Sequence, residues 1–568
     1  MKRRFPWIVA AASVLLWCFA HVLMHQRRGW PSMNVWGEWD FLLTAQAIAA
    51  GHAPDAVLGS MHGNELGSYL VAALVAVPVS LGVDAVVAAK GVAMGFGMVF
   101  VGAAGWLAGW MANEAGAEGG PTRTAASLSA VVLAFAWPGL HFELAGLSGR
   151  TPEAAAFQLL AIAAVLTASE RHVVGRGLFV GAALGVGWLL SPVTLWTAAA
   201  CAVVGLLVLP TGPSRVRASA AAGAGFVLPL VLFALLVPGG AEGLSLFRVE
   251  QMGGAGVGDA VGGKRLGFDV IAQVHLALEG GAHNPALSAR PVFLGALGWA
   301  LMVSLVAFVV QGVRGRDWRS PRFLAALLAL SWLVPIVLLP VERWFYPLAF
   351  RYWMVLLALG IALGPLALLR MPPKSAVGAF SLLAALVVVM SNMAPIQIVA
   401  PAPSRSEALV SAAAHSMGPR PGRDRHATFW ALVPHAPAED QVALSEGYGM
   451  MLGADLAVDL ADGRDVVFPW ASVAPMLPEP ARTRFLVGVG CGVTASKELP
   501  PAVTAAFLIA PPEVRQALVW GLGRCAEAEV PLAAVRASAA YQGGRDRRPV
   551  RGIESTVADP KPLMPPRW

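Results

Sequence analysis

The chain has 568 residues, of which 57% are hydrophobic and only 13% are charged, whereas an ordinary soluble domain is roughly 25% charged. Its net charge of +7 comes from basic residues in short groups between apolar runs, the pattern of membrane topology and not of a nucleic-acid-binding stripe. Composition therefore excludes a soluble enzyme, a disordered chain and a nucleic-acid partner, and predicts an all-α polytopic membrane protein.

Met1-Lys2-Arg3-Arg4 and the apolar run up to Met24 predict an uncleaved first span with its basic end in the cytoplasm. His25, Arg27 and Arg28 stand where a small-residue cleavage site would be needed for a signal peptide. Further apolar runs lie near 68–89, 91–112, 125–140, 153–169, 177–190, 193–209, 218–238, 291–312, 323–341, 348–370 and 376–399, about 11–12 transmembrane helices in all. Five basic groups are expected on the cytoplasmic side: Lys90, Arg171/Arg176, Arg215/Arg217, Arg314-Arg316-Arg319-Arg322, and Arg370/Lys374. All five fall there only if residues 125–169 make one net crossing, with a bent segment around His141 to Pro152. Such backbone survives at membrane depth when protein shields it or it lines a wet cavity. The loops at about 25–67 and 239–290 and the tail then share the non-cytoplasmic side of an inner (plasma) membrane.

Residues 1–399 are read as the transmembrane domain and 400–568 as a C-terminal, mainly helical soluble domain, opened by Ala400-Pro401-Ala402-Pro403. Three tail segments share a Gly-x-Gly theme around Gly447/Gly449, Gly488/Gly490 and Gly521/Gly523, spaced by 41 and 33 residues. They fit either a degenerate helical repeat or helices packed closely through glycine. Of the four cysteines, Cys491 and Cys525 are expected to form the single disulfide, in an oxidising compartment. Cys18 and Cys201 lie in spans and are expected to behave as small buried hydrophobes.

The sharpest chemical cluster is Trp36-Gly37-Glu38-Trp39-Asp40, just after the first span. In an extended stretch its two carboxylates would point the same way; on a helix they would diverge. The competing reading is an aromatic belt with solvated acids. Downstream come Gly51-His52 and Met61-His62-Gly63-Asn64-Glu65-Leu66-Gly67-Ser68-Tyr69-Leu70. This order of an acidic motif, a small-residue helix, a His-Gly turn and an entry into the next apolar run resembles the GT-C membrane glycosyltransferases. The nearest subgroup is the protein-mannosyltransferase-like and lipid A arabinosyl- or galacturonosyltransferase-like enzymes. Gly149-Arg150-Thr151-Pro152-Glu153, the stretch from Gly181 through Gly185 to Pro192, and Phe350-Arg351-Tyr352-Trp353 fit the same outline. The tail has no counterpart in it.

The resemblance implies an inverting transfer of a sugar from a polyprenyl-phosphate-linked donor to a lipid, glycan or protein acceptor on the non-cytoplasmic face. An attacking hydroxyl must lose a proton to a nearby base, a role implied for Asp40 or Glu38. A departing lipid phosphate needs cationic donors, for which arginine's fork is suited. Arg150, Arg343 and Arg351 are the candidates, at ends read as external, with His62 and Glu153 also implied in substrate binding. Relatives often show adjacent acids where this chain separates Glu38 and Asp40 by Trp39, so either could be the base. Glu143 is a candidate second acid and a candidate ligand for a divalent cation, although no spacing here compels a metal. Gly253 to Gly258 lacks the lysine ending and preceding strand of a phosphate loop. The rival classes are a transporter or channel, against which stand the lack of an inverted repeat and of charges within the spans, and a catalytically inactive envelope scaffold.

Overall fold

A computed structural model of the chain describes residues 4–26, 38–51, 66–114, 120–136, 151–167, 172–191, 194–209, 212–236, 291–333, 346–367, 433–495 and 501–526, with isolated residues such as His141 and Phe429 between them. These residues form helices and turns only. The first helices are α1 (Phe5–Gln26), α2 (Glu38–Ala49), α3 (Leu66–Ser80), α4 (Ala85–Glu114) and α5 (Gly120–Phe135). Next come α6 (Thr151–Leu166), α7 (Val173–Leu190), α8 (Thr194–Val208), α9 (Pro213–Leu236), α10 (Pro291–Arg314), α11 (Pro321–Ser331) and α12 (Tyr346–Ala367). The tail holds α13 (Ala438–Ala461), the single turn α14 (Pro469–Ser472), α15 (Ala481–Gly492), α16 (Pro501–Ile509) and α17 (Pro512–Ala526). Among the described residues α1, α4, α7, α9 and α10 are long and apolar enough to cross a membrane, and six shorter helices are also apolar. The chain is an all-α polytopic membrane protein.

Two compact units form. One comprises Met1–Arg27, Glu65–Val71 and Lys90–Ile398; the other comprises Arg28–Asn64, Ala72–Ala89 and Val399–Trp568. In the first unit, helices meet through small residues, as expected where lipid supplies no hydrophobic drive between them. Gly97 faces the Trp17 ring, Gly102 faces Val14, Gly105 faces Ser13 and Ala10, and Gly109 faces Pro6 and Val9. Residue numbers fall along α1 as they rise along α4, so these two helices are antiparallel. On α7, Gly177 meets Ala218 and Ala221, Gly181 meets Ala222 and Phe226, and Gly185 meets Phe226 and Pro229. Here the numbers rise together, so α7 and α9 run parallel, backbone against backbone. The glycine stretch that resembled a family motif is the seam between them.

Two expectations change. The run at 68–89 is not one span: α3 ends at Ser80, the chain turns through Gly82 at φ +87°, and α4 starts at Ala85. Asp84 caps that start, its Oδ1 accepting from the Val86 and Val87 amides at 2.9 and 3.1 Å. Lys90 therefore sits inside a helix, buried, and not in a cytoplasmic loop. The second concerns residues 125–169, which form two helices, α5 and α6, where one bent crossing was expected. His141 Nε2 donates to the Ala134 carbonyl at the end of α5 (2.6 Å), and its ring stacks 5.5 Å from Trp17. His141 therefore lies beside the C-terminal half of α1. Then α6 leads away again, antiparallel to α7, since Phe157 touches Gly187 and Gln158 donates to the Thr194 hydroxyl at 2.9 Å.

In the second unit α2 packs against the short turn Val433–His435. The tail is a true repeat. Gly449 and Gly453 of α13 press on Phe485 and Val489 of α15, while Gly488 and Gly492 press back on Glu446 and Met450. Again the numbers rise together, and α13 and α15 are parallel. Gly521 of α17 meets Val487 and Cys491, and the Cys491–Cys525 disulfide forms one turn further on, with Cα atoms 5.1 Å apart. So α15 and α17 are parallel as well. Return segments run through α14 and through α16. Each repeat carries one anchor at the same offset from its glycines. Gln441 donates to the Pro434 and Ala436 carbonyls, Arg482 to Ala474 and Leu477, and Arg515 to Leu508 and Ala510. Glu446 of α13 ties the array together, accepting from Arg484 at 3.0 Å and Arg524 at 2.8 Å. Cys201 is buried as expected, while Cys18 is only partly so.

Candidate functional site

The helix directions give the first unit two distinct ends. One gathers the start of α1 with Arg4, the start of α7 with Arg176, and the start of α9 with Arg215 and Arg217. Arg215 there donates to the Leu206 and Leu209 carbonyls, closing the end of α8. The other end gathers the C-terminal half of α1, the start of α4, the start of α6 and the end of α7. Phe96 of α4 meets Phe157 of α6 at 6.1 Å, which fixes their common level.

This second end is where the unit hides its polar side chains. Trp17, His21, Lys90, His141 and Glu153 are each 3% exposed or less. Trp17 and His21 stand one turn apart on α1, so they share a helix face, and their rings stack at 4.9 Å. His141 closes the triangle, 5.8 Å from His21. Six residues beyond Phe96 toward the start of α4 give Lys90, and four beyond Phe157 toward the start of α6 give Glu153. At about 1.5 Å per residue the two stand within roughly one helical turn of the same level. The indole nitrogen of Trp17 and Nδ1 of His141 are buried with no hydrogen-bond partner among the described residues.

Of the residues singled out from sequence, Glu38 and Asp40 open α2 in the second unit. They stand on a helix, not in an extended stretch, so their positions are about 200° apart around its axis and they do not form a side-by-side pair. Further along α2, Leu42, Thr44, Ala45 and Ala47 are buried. Glu153 stands in the first turn of α6 and is buried. Arg351 lies in the second turn of α12. Gly360 of α12 meets Leu301 and Leu305 of α10, and Gly364 meets Leu301 alone, so α10 and α12 are antiparallel. Arg351 is as many residues from Gly360 as Arg314 is from Leu305, which brings the two arginines level. They cannot lie on opposite membrane faces, as the sequence reading required of them. His62, Glu143, Arg150 and Arg343 lie outside the described residues. Among the described residues no three His, Cys, Asp or Glu side chains could hold a metal ion.

Sequence reasoning missed Trp17, His21, Lys90 and His141. One signal was available: a histidine one turn after a tryptophan inside an otherwise apolar span, where an ionisable group is costly.

No model of a known protein family matches the chain, and no curated protein matches it. Solved structures do. The chain is similar to an archaeal oligosaccharyltransferase. Against the apo enzyme from Archaeoglobus fulgidus it has 13% identity and a TM-score of 0.45, over 74% of this chain and 59% of that one. The same organism's enzyme AglB, in complex with an inhibitory peptide and a dolichol-phosphate, gives 13% identity and 0.45 over 78% and 59%. Its complex with Zn and sulfate gives 16% and 0.44 over 72% and 55%. This chain thus spans under two thirds of the length of each.

Proposed function

We propose that this chain is an integral membrane glycosyltransferase that moves a sugar from a polyprenyl-phosphate-linked donor to a lipid, glycan or protein acceptor on the non-cytoplasmic face, with inversion. The observation that carries this reading is the polar end of the first unit. Ionisable groups at membrane depth are expensive and mark function, and here Lys90, His21, His141 and Glu153 gather at one end of an apolar bundle. In chain order the acidic segment Glu38–Asp40 follows α1. Orientation has two supports. The opposite end holds Arg4, Arg176, Arg215 and Arg217, as a cytoplasmic end should, and the tail carries a disulfide, which persists in oxidising compartments.

In this mechanism Asp40 or Glu38 accepts the proton of the attacking hydroxyl. Because the two are set apart on α2, one of them acts alone. Lys90 and Arg150, the residue next to α6 in the chain, supply the positive charge that the departing lipid phosphate needs. Glu153 and His62 hold sugar hydroxyls. Burial of Lys90 and Glu153 strengthens the interactions these two make. Buried charge would equally suit a transporter, but transporters place it near the bilayer midplane along a path, whereas here it gathers at one end.

The test is direct. Purified protein in nanodiscs is given radiolabelled polyprenyl-phosphate sugars with candidate lipid, glycan and peptide acceptors, and the anomeric configuration of the product is read by NMR. Asp40→Asn or Glu38→Gln should cut turnover by about 10²–10⁴ while the protein still accumulates. Full activity in both variants and in the double variant would remove the proposed base. Sugar flux into proteoliposomes without any covalent product would favour the transporter.

A further inference from the structure

The return segments of the tail carry an exposed apolar tip that appears twice, each time beside the arginine that anchors the segment. In the first, the short turn Ala474–Met476 after α14 holds Met476 61% exposed, and Arg482 donates to the Ala474 and Leu477 carbonyls on either side of it. In the second, α16 ends in Leu508 and Ile509, 62% and 72% exposed, with Arg515 donating to the Leu508 and Ala510 carbonyls around them. Each time, an apolar tip protrudes with a guanidinium clamped at its base. The two segments are neighbours in one layer. Phe468 stacks on Trp470 at 4.6 Å, and Trp470 meets Phe507 edge-on at 5.9 Å, so an aromatic ladder runs beneath the tips. Val467, next to that ladder in the chain, is 78% exposed. The nine residues of α16 include no charged side chain. Glu479 stands 3.9 Å from Arg482, and Glu513 stands two residues before Arg515 in the first turn of α17.

We infer that this layer is a bilayer contact: Met476, Leu508 and Ile509 dip into the acyl boundary of an anionic membrane surface while Arg482 and Arg515 sit among its phosphates. The partner follows from the chemistry. Apolar tips with cations at their base are the arrangement that interfacial segments use, apolar part buried a few ångströms and cation in the headgroups. The chain is itself a membrane protein, so a bilayer is always within reach of its tail. The inference does not depend on the transferase reading.

The experiment uses the full chain, one copy per nanodisc, with Cys18→Ala and Cys201→Ala and the Cys491–Cys525 bridge intact. A bimane probe is placed at Ile509→Cys, at Met476→Cys, or at Val458→Cys on α13 as a half-exposed reference. Lipids carry bromine on their acyl chains and are either purely zwitterionic or one-third anionic. The probes at 509 and 476 should lose about twofold or more of their emission relative to 458, and more so in the anionic disc at low salt. Equal quenching at all three positions would overturn the contact. Equal quenching in both lipids at every salt concentration would overturn the part given to the arginines. Shielding at 509 that develops only with two copies per disc would give the layer to a second chain and refute the lipid.

Discussion

Gly521 and Gly523 sit two residues apart on α17, and the same substitution should move stability in opposite directions at the two sites. A Cβ at Gly523 would meet nothing within 4 Å, so Gly523→Ala there contributes only its helix propensity, a gain of about 0.8–1 kcal/mol. At Gly521 the same methyl would enter the backbone of α15, 3.0 Å from the Cys491 amide nitrogen and closer still to Val487. Those are main-chain atoms and cannot rotate aside. Relief requires α17 to back away, yet the Cys491–Cys525 bridge pins it one turn on. Overpacking of this kind costs about 1–3 kcal/mol, and the restraint argues for the upper part of that range, so the net loss for Gly521→Ala is about 1–2 kcal/mol after the propensity gain. Hydrogen exchange of full-length protein in nanodiscs, read on peptides from α15 and α17, is the assay. At about 1.4 kcal/mol per tenfold, Gly521→Ala should speed protected amides by roughly tenfold and Gly523→Ala should slow them several-fold. If both substitutions shift exchange the same way, the backbone-to-backbone packing is wrong.

Glu446→Gln should destabilise the tail by about 2 kcal/mol, below the usual range for a broken buried pair because its two arginines are partly solvated. Arg484→Met added to that variant should cost less than it does alone, which a double-mutant cycle on thermal unfolding would check. Replacing Cys491 and Cys525 together by Ser should lower tail stability by roughly 3–4 kcal/mol for the loop they close, and maleimide should fail to label either cysteine in unreduced wild type. Lys90→Met should leave insertion intact and abolish glycosyl transfer; unchanged turnover would detach the polar end from the chemistry. Gly181→Leu should split α7 from α9, read as a lowered unfolding temperature and increased proteolysis, whereas Gly175→Leu, which faces open space, should not.

The membrane character and helical tail were legible because composition and apolar run length follow directly from the bilayer. The disulfide was legible because only two cysteines fall outside the spans. Lys90 shows what was not. A lysine between two apolar runs reads the same whether it ends a loop or lies buried inside a helix, and the deciding residue, Asp84, gives only a capping signal six positions earlier. Treating Lys90 as a loop residue made 68–89 a single long run, and the positive-inside rule then asked for one bent crossing at 125–169 to match. The two readings share a single cause. Glu38 and Asp40 illustrate a different limit, since a short segment rich in tryptophan carries no periodicity by which to choose helix over strand. The parallel pairing of α7 with α9 was hidden for a third reason: glycine at every fourth position announces a close neighbour without naming it.

The three parallel tail helices also make this domain nearly one-dimensional. In such an array each helix is held only by its neighbours, and fraying starts at whichever end has a single interface. At the far end that helix is α17, and its one interface with α15 is covalent. At the near end α13 has a further neighbour, since Gly447 rests on Val410 and Ala413, but no bond of that kind secures it. Loss of order in the array should therefore reach the stapled pair last.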